Sequence, residues 1–116
     1  LELRRVLFRS LIGVSAHNPA EAKAALQSGA DYLGCGAVFG TATKADVQKL
    51  GTEGLAAICR EKGLPVVGIG GVTADNYREV RAAGADGAAI VSGILAQPDI
   101  RATVKAIAKV SQEFPK

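Results

Sequence analysis

The stretch SGADYLG, at residues 28–34, recurs in closely similar form as AGADGAA at residues 83–89. In both copies a glycine follows a helical pattern, and a short run typical of a strand comes directly afterwards. A repeated joint between a helix end and a strand start is typical of alternating β and α units. The two copies lie 55 residues apart, which fits two such units. The repeat therefore predicts a parallel sheet, either open or closed into a barrel.

Four short apolar runs, rich in β-branched residues and glycine, alternate with helical patterns from Leu11 onward. Continuous apolar runs of this length are typical of strands that are covered on both faces in a parallel sheet. The predicted strands are LIGVSA (11–16), YLGCGAVF (32–39), PVVGIGG (65–71) and GAAIVSGI (87–94).

The helical patterns between the strands have recognisable beginnings and ends. Asn18 is predicted to cap the first helix, with Pro19 at its first position, Glu21 as the capping-box residue and Gly29 after its end. The next three helices are predicted to be capped by Thr52, Thr73 and Asp99. Their predicted inward-facing residues are, in turn, Leu55, Ile58 and Cys59; Tyr77, Val80 and Ala83; and Ile100, Val104 and Ile107.

The composition is typical of a single α/β domain without a membrane span. The chain has 116 residues, is 48% hydrophobic and carries a net charge of +3. We expect no nucleic-acid partner, because much of that charge lies in the first ten residues, and no membrane partner, because no apolar run approaches the ~18 residues of a span. A cytoplasmic location is expected. Residues 1–10 differ in composition from the rest, and an amphipathic helix before the first strand is one interpretation of them. We favour a non-native or linker segment, which leaves residues 11–116 as the domain.

The C-terminal ends of the predicted strands carry polar residues and glycines that favour a phosphate site. Ser15 ends the first strand, Thr41, Thr43 and Lys44 follow the second, and Gly71 and Ser92 follow the last two. Hydroxyls, an ammonium group and glycine backbone N–H groups are the donors that hold a phosphate. The repeated Asp31 and Asp86 fall at the opposite ends of the strands, so we interpret them as capping residues rather than metal ligands.

Four stretches, GVSAH, VFGTATKAD, VVGIGGVT and ADGAAIVSGI, together resemble the C-terminal half of thiamine phosphate synthase. The resemblance implies an α/β fold with four parallel βα units over residues 11–116, the C-terminal half of a (β/α)8 TIM barrel. It also implies that the full-length parent is a transferase of thiamine biosynthesis. That enzyme joins hydroxymethylpyrimidine pyrophosphate to thiazole phosphate and releases pyrophosphate with the help of Mg²⁺.

The resemblance implies roles for eight residues. Ser15 and Lys44 would bind the pyrophosphate and take part in catalysis. The other substrate-binding residues would meet the thiazole phosphate, and they are Thr41, Ala42, Thr43, Gly71, Val91 and Ser92. The Mg²⁺ ligands are expected in the upstream half of the parent, so none is assigned here. The isolated chain is therefore expected to be inactive and to self-associate through its open barrel edges.

Two alternatives stay open. The related thiazole tautomerases share the barrel and use a histidine near the position of His17 for proton transfer, although the Thr-x-Thr-Lys loop at 41–44 favours the synthase. The second alternative belongs to another class of protein: an inactive half-barrel that at most binds phosphate.

Overall fold

The computed structural model of the chain describes residues 10–40, 49–61 and 63–114. Within them, strands and helices alternate along the chain, beginning with a strand and ending with two helices. The strands are β1 (Gly13–Ala16), β2 (Tyr32–Cys35), β3 (Val66–Ile69) and β4 (Gly87–Ala89). The helices are α1 (Pro19–Gln27), α2 (Gly51–Cys59), α3 (Tyr77–Ala82), α4 (Ser92–Leu95) and α5 (Ile100–Ser111).

The four strands form one parallel sheet in the order β1-β2-β3-β4, which confirms the predicted parallel, sequential arrangement. Ser15 pairs with Gly34, Gly34 with Val67, and Val67 with Gly87. Paired residues of a parallel sheet point to the same face, so these four positions form one row across the sheet.

The helices cover one face of this sheet. Residues that alternate with the Ser15–Gly87 row are buried, as Leu33, Cys35 and Val66 illustrate. A Cβ atom at Gly68 would meet Val80 of α3 and come within contact of Leu55 of α2, so both helices lie on that face. Consecutive helices also contact one another, α1 with α2 and α2 with α3, and α3 contacts α5.

The opposite face of the sheet is left exposed in this structure. Tyr32 and Ile69 point to it and remain 39% and 42% exposed, although they lie inside strands. The ring of Tyr32 lies over Gly13, where a Cβ atom would collide with it. The sequence predicted strands covered on both faces, and the described residues cover only one.

Two of the four predicted helix caps are confirmed. The side chain of Asn18 accepts a hydrogen bond from Glu21 N at 2.8 Å, and that of Asp99 accepts one from Ala102 N at 3.0 Å. Thr52 is not a cap, because α2 begins one residue earlier, at Gly51. Thr73 is not a cap either: α3 begins at Tyr77, and the Thr73 hydroxyl accepts a hydrogen bond from Asp75 N inside a turn.

Two further predictions need correction. The last predicted strand, 87–94, ends at Ala89, and its last three residues belong to α4. Ile100 and Val104 do not face inward as predicted but remain 45% and 46% exposed. In contrast, Leu55, Ile58, Tyr77 and Val80 lie in the core as predicted.

No helix within the described ranges is both long enough and apolar enough to cross a membrane.

Candidate phosphate-binding site

Ser15 lies on the exposed face of the sheet, one residue before the C-terminal end of β1. Its partner across the sheet is Gly34, which has no side chain to cover it. The Ser15 residue is exposed, and His17 follows directly after the strand. Because the strands are parallel, their C-terminal ends meet at one edge of the sheet. Ser15 is therefore on the edge that the sequence predicted for the site.

The segment after β2 contacts Gly70 and Gly71, the two glycines that directly follow β3. Val38 N donates to Ile69 O at 2.9 Å, and Phe39 N donates to Gly70 O at 3.0 Å. A Cβ atom at Gly71 would lie 2.9 Å from the Phe39 carbonyl oxygen and 3.1 Å from that of Gly40. Both Gly70 and Gly71 have positive φ, 101° and 69°, a conformation that favours glycine. The loop that begins at Gly40 therefore leaves the sheet beside Gly71.

The first turn of α4 packs against the loop of residues 71–73. A Cβ atom at Gly93 would collide with the Val72 carbonyl oxygen and lie 3.2 Å from Thr73 Cα. Gly93 is buried there, whereas its neighbours Val91 and Ser92 are exposed. The 71–73 loop thus contacts the 39–40 segment at Gly71 and Gly93 at Val72 and Thr73, so Ser92 lies one residue from a contact with the loop that contains Gly71.

Sequence reasoning missed Asn76, whose carboxamide spans this loop. Its Nδ2 donates to Gly71 O at 2.9 Å, and its Oδ1 accepts from Thr73 N at 2.8 Å. Asn76 directly precedes α3, but its side chain makes no capping hydrogen bond to that helix. The sequence signal was the asparagine three residues after Thr73, a spacing that permits this local side-chain-to-backbone bond.

Four of the predicted site residues, Thr41, Ala42, Thr43 and Lys44, lie outside the described residues. Their roles stay predictions. The described residues begin again at Lys49. Just after it, Leu50 N donates to Ala37 O at 2.7 Å, and Gly51 N donates to Val38 O at 3.1 Å. The described residues on either side of 41–48 are therefore tied by backbone hydrogen bonds to the segment after β2 and to the end of β3.

His17 has a fixed orientation beside the end of β1. Its Nδ1 lies 2.9 Å from Glu21 Oε1, and the same oxygen accepts a hydrogen bond from His17 N at 2.8 Å. Both contacts hold the pKa of the Glu21 carboxyl below its ordinary value, and the hydrogen bond from the His17 backbone has the larger effect. A pocket of about 370 Å³ lies there, lined by His17, Asn18, Gly36, Lys49 and Leu50. An imidazole and an ammonium group thus line the same pocket.

The described residues do not fit a magnesium site. Within those ranges, no three histidine, cysteine, aspartate or glutamate side chains come together as a metal ion would require. Asp31 and Asp86 are instead hydrogen-bonded to strand-start N–H groups, of Ile12 and Val66 respectively. This confirms the capping role predicted for them, and no chemical step is assigned to a metal here.

Comparison with known proteins identifies the family. The family model described as thiamine monophosphate synthase matches residues 1–94 of the chain. The chain belongs to the thiamine monophosphate synthase family. This confirms the resemblance inferred from the four motifs.

Two curated members of the thiamine monophosphate synthase family illustrate the similarity. The thiamine-phosphate synthase of Chloroflexus aurantiacus is 45% identical over 114 residues, 95% of this chain and 53% of that protein. The thiamine-phosphate synthase of Pyrococcus furiosus is 43% identical over 103 residues, 89% of this chain and 50% of that protein. The chain therefore spans about half the length of the curated relatives that it matches.

A solved structure shows the same relationship. The thiamine phosphate pyrophosphorylase from Pyrococcus furiosus superimposes with a TM-score of 0.84 at 37% identity. The match covers 97% of this chain and 54% of that one. The chain has the predicted fold class: four parallel βα units that correspond to half of a (β/α)8 TIM barrel.

Proposed function

We propose that the chain is the C-terminal half of a thiamine phosphate synthase and that it carries the thiazole-phosphate side of the active site. The full-length parent would join hydroxymethylpyrimidine pyrophosphate to thiazole phosphate and release pyrophosphate. The observation that carries this proposal is the packing of the 71–73 loop, at Gly71 against Phe39 and Gly40 and at Val72 against Gly93, in a chain of this family. Backbone N–H groups of this loop and the Ser92 hydroxyl would meet the phosphate there, and we expect residues 41–44 to add further donors.

In the proposed reaction, the bond between the pyrimidine methylene carbon and the pyrophosphate oxygen breaks first. The electron pair leaves with pyrophosphate, and the thiazole nitrogen then forms a new bond to the pyrimidine cation. Lys44 and Ser15 would stabilise the negative charge that develops on the leaving group. Thr41, Ala42, Thr43, Gly71, Val91 and Ser92 would hold the thiazole phosphate in position for attack. No general base is required from these residues.

The Mg²⁺ of the reaction is also a proposal. It rests on the resemblance to the synthase, and we expect its ligands in the upstream half of the parent.

A chimeric protein tests the proposed function. The upstream half of the Pyrococcus furiosus synthase would be joined to residues 11–116 of this chain, and thiamine phosphate formation would be measured with purified protein. We expect activity in the chimera and none in the 116-residue chain alone, because positioning of both substrates requires both halves. A folded chimera without activity, beside an active Pyrococcus furiosus enzyme, would contradict the proposal.

A thiazole tautomerase is the second candidate, and the His17–Glu21 contact is the observation that favours it. A carboxylate that holds Nδ1 of an imidazole orients the other nitrogen for proton transfer. The chimera distinguishes the two candidates through His17→Gln. If the protein is a synthase, the His17→Gln variant should keep most of its thiamine phosphate formation. If it is a tautomerase, the variant should lose the reaction in which the imidazole transfers a proton.

We also propose that the isolated chain self-associates, with a second copy completing the barrel. Nine large apolar side chains are prominently exposed among the described residues, and eight lie on the surfaces that closure would cover. Leu11 and Ile12 precede β1, and Tyr32 and Ile69 lie on the open face of the sheet. The other four follow β4: Val91, Leu95, Ile100 and Val104.

The free edges of the sheet support the same proposal. Within the described residues, neither β1 nor β4 has a neighbour on its outer side. Unpaired edges beside exposed apolar residues favour pairing with another chain. A two-fold axis along the barrel would place β4 of each copy parallel to β1 of the other, which gives eight strands.

The molar mass in solution tests this proposal. We expect twice the 11.8 kDa of one chain by light scattering. Ile69→Glu should yield single chains, because it puts a charge on the covered face. Leu26→Glu is the matched control, since Leu26 is similarly exposed, at 45%, but lies on α1 outside the covered surfaces. A wild-type monomer, or large aggregates in place of a dimer, would contradict closure by a second copy.

A further inference from the structure

The loop that follows β3 contains two successive residues with left-handed backbone conformations, Gly70 and Gly71. Glycine adopts this conformation without steric cost, but it also has the largest conformational freedom to lose. A loop of this kind holds one shape only if other groups fix it. The structure shows which group does so on the C-terminal side of Gly71.

The Asn76 carboxamide fixes this loop at two points. Its donor side binds the Gly71 carbonyl oxygen, and its acceptor side binds Thr73 N–H, at 2.9 Å and 2.8 Å. A peptide unit is planar, so fixing the Gly71 carbonyl also fixes the direction of the following N–H group, that of Val72. The Gly71 carbonyl oxygen would repel a phosphate if it pointed at it. The hydrogen bond from Asn76 Nδ2 holds that oxygen toward Asn76 instead.

The position of Asn76 makes a purely helical role insufficient. An N-cap asparagine ordinarily accepts a hydrogen bond from an N–H group of its own helix. Here the side chain makes no such bond to α3 and is used entirely by the preceding loop. Asn76 is also half-buried, so its two bonds are partly shielded from competing water.

We infer that Asn76 is a positioning residue, whose carboxamide holds the Gly71–Thr73 turn in the conformation that receives a phosphate group. This inference rests on the phosphate site of the proposed function. Asn76 does not touch the phosphate itself. It acts through the backbone of Gly71 and Thr73.

Titration of inorganic phosphate into the ¹⁵N-labelled 116-residue chain tests the inference. In the wild-type chain, the amide resonances of Gly71, Val72 and Thr73 should move on binding. Asn76→Ala should raise the dissociation constant about ten-fold, because two hydrogen bonds that fix the loop are lost. The amide resonances of the same loop should shift before any phosphate is added.

Three further variants separate this role from stability and charge. Asp75→Ala is the matched truncation, and it should bind phosphate like the wild type. Asn76→Asp keeps a good N-cap residue for α3 and an acceptor for Thr73 N–H, but it cannot donate to Gly71 O. It should therefore weaken binding more than Ala74→Asp, which adds the same charge two residues away.

The possible failures are distinguishable. If the wild-type chain does not bind phosphate, the phosphate site of the proposed function is wrong, and the inference ends with it. If the wild-type chain binds phosphate and Asn76→Ala binds it equally well, the site stands and only the role of Asn76 is wrong.

Discussion

The carboxylate of Asp86, one residue before β4, accepts a hydrogen bond of 2.9 Å from the backbone N–H of Val66, the first residue of β3. The first copy of the repeat makes the same contact, because Asp31 accepts a hydrogen bond of 2.8 Å from Ile12 N. Each repeated aspartate thus ties the start of its own strand to that of the preceding strand. The repeat in the sequence reflects a structural connection at the end of the sheet away from the candidate site.

Replacing Asp86 by alanine should destabilise the chain by about 1–3 kcal/mol, because a backbone N–H of the buried Val66 loses its partner. Denaturant unfolding measures this change. Asp31→Ala should lower the free energy of unfolding by less than Asp86→Ala does, because Ile12 is half exposed and water can replace the carboxylate. Equal losses for the two variants would show that burial does not determine the contribution of this contact.

Replacing Gly71 by alanine should destabilise the fold and abolish phosphate binding. A residue with a side chain pays about 1–2 kcal/mol for the left-handed conformation, and its Cβ would press against Phe39. Gly87→Ala is the matched control, because a Cβ atom there meets nothing within 4 Å. Thermal unfolding and phosphate titration of both variants check the prediction, and a tolerated Gly71→Ala would contradict it.

The two cysteines should make stability fall at high pH. Burial raises the pKa of the Cys35 thiol to about 11 from its ordinary value of 9.0, and burial likewise raises that of Cys59 to about 11. The unfolded thiols lose their protons near pH 9, whereas the folded thiols keep them. The stability that the neutral thiols contribute is therefore complete below pH 9 and is lost as the pH rises toward 11.

Urea unfolding at a series of pH values measures this dependence. The double variant Cys35→Ala/Cys59→Ala should lack the part of the slope that the thiols cause. An unchanged slope in the double variant would assign the pH dependence to other groups.

Lys44→Ala in the chimera should lower kcat by roughly 10²–10³-fold, the scale for a lost preorganised donor to developing charge. The KM for thiazole phosphate should change little. Ser92→Ala should instead raise that KM and affect turnover less, because a hydroxyl bond contributes about 0.5–1.5 kcal/mol, or up to ~3 to a charged group. Steady-state kinetics with each substrate varied in turn distinguishes the two. If Lys44→Ala instead raised the KM for thiazole phosphate and Ser92→Ala lowered kcat, the assignment of the pyrophosphate and thiazole-phosphate sites would be reversed.

The sequence by itself determined the class of fold and the edge of the sheet at which Ser15 and the Gly70–Gly71 pair lie. Apolar runs separated by capped helices predict a parallel sheet, because strand burial and helix ends both depend on local residue patterns. Asn18, Gly29, Gly84 and Asp99 were predictable for this reason, since each acts on the backbone within a few residues of itself.

Only the tertiary structure decided where α2 and α3 begin, where β2 and β4 end and which segments pack against Gly71. Thr73 is a good capping residue, but its hydroxyl accepts a hydrogen bond from Asp75 N within a turn, and α3 begins only at Tyr77. The packing of Phe39 and Gly40 on Gly71, and of Gly93 on Val72, joins segments that lie far apart in sequence. Local propensity carries no information about such contacts, because they depend on how close two backbones can approach after the sheet has formed.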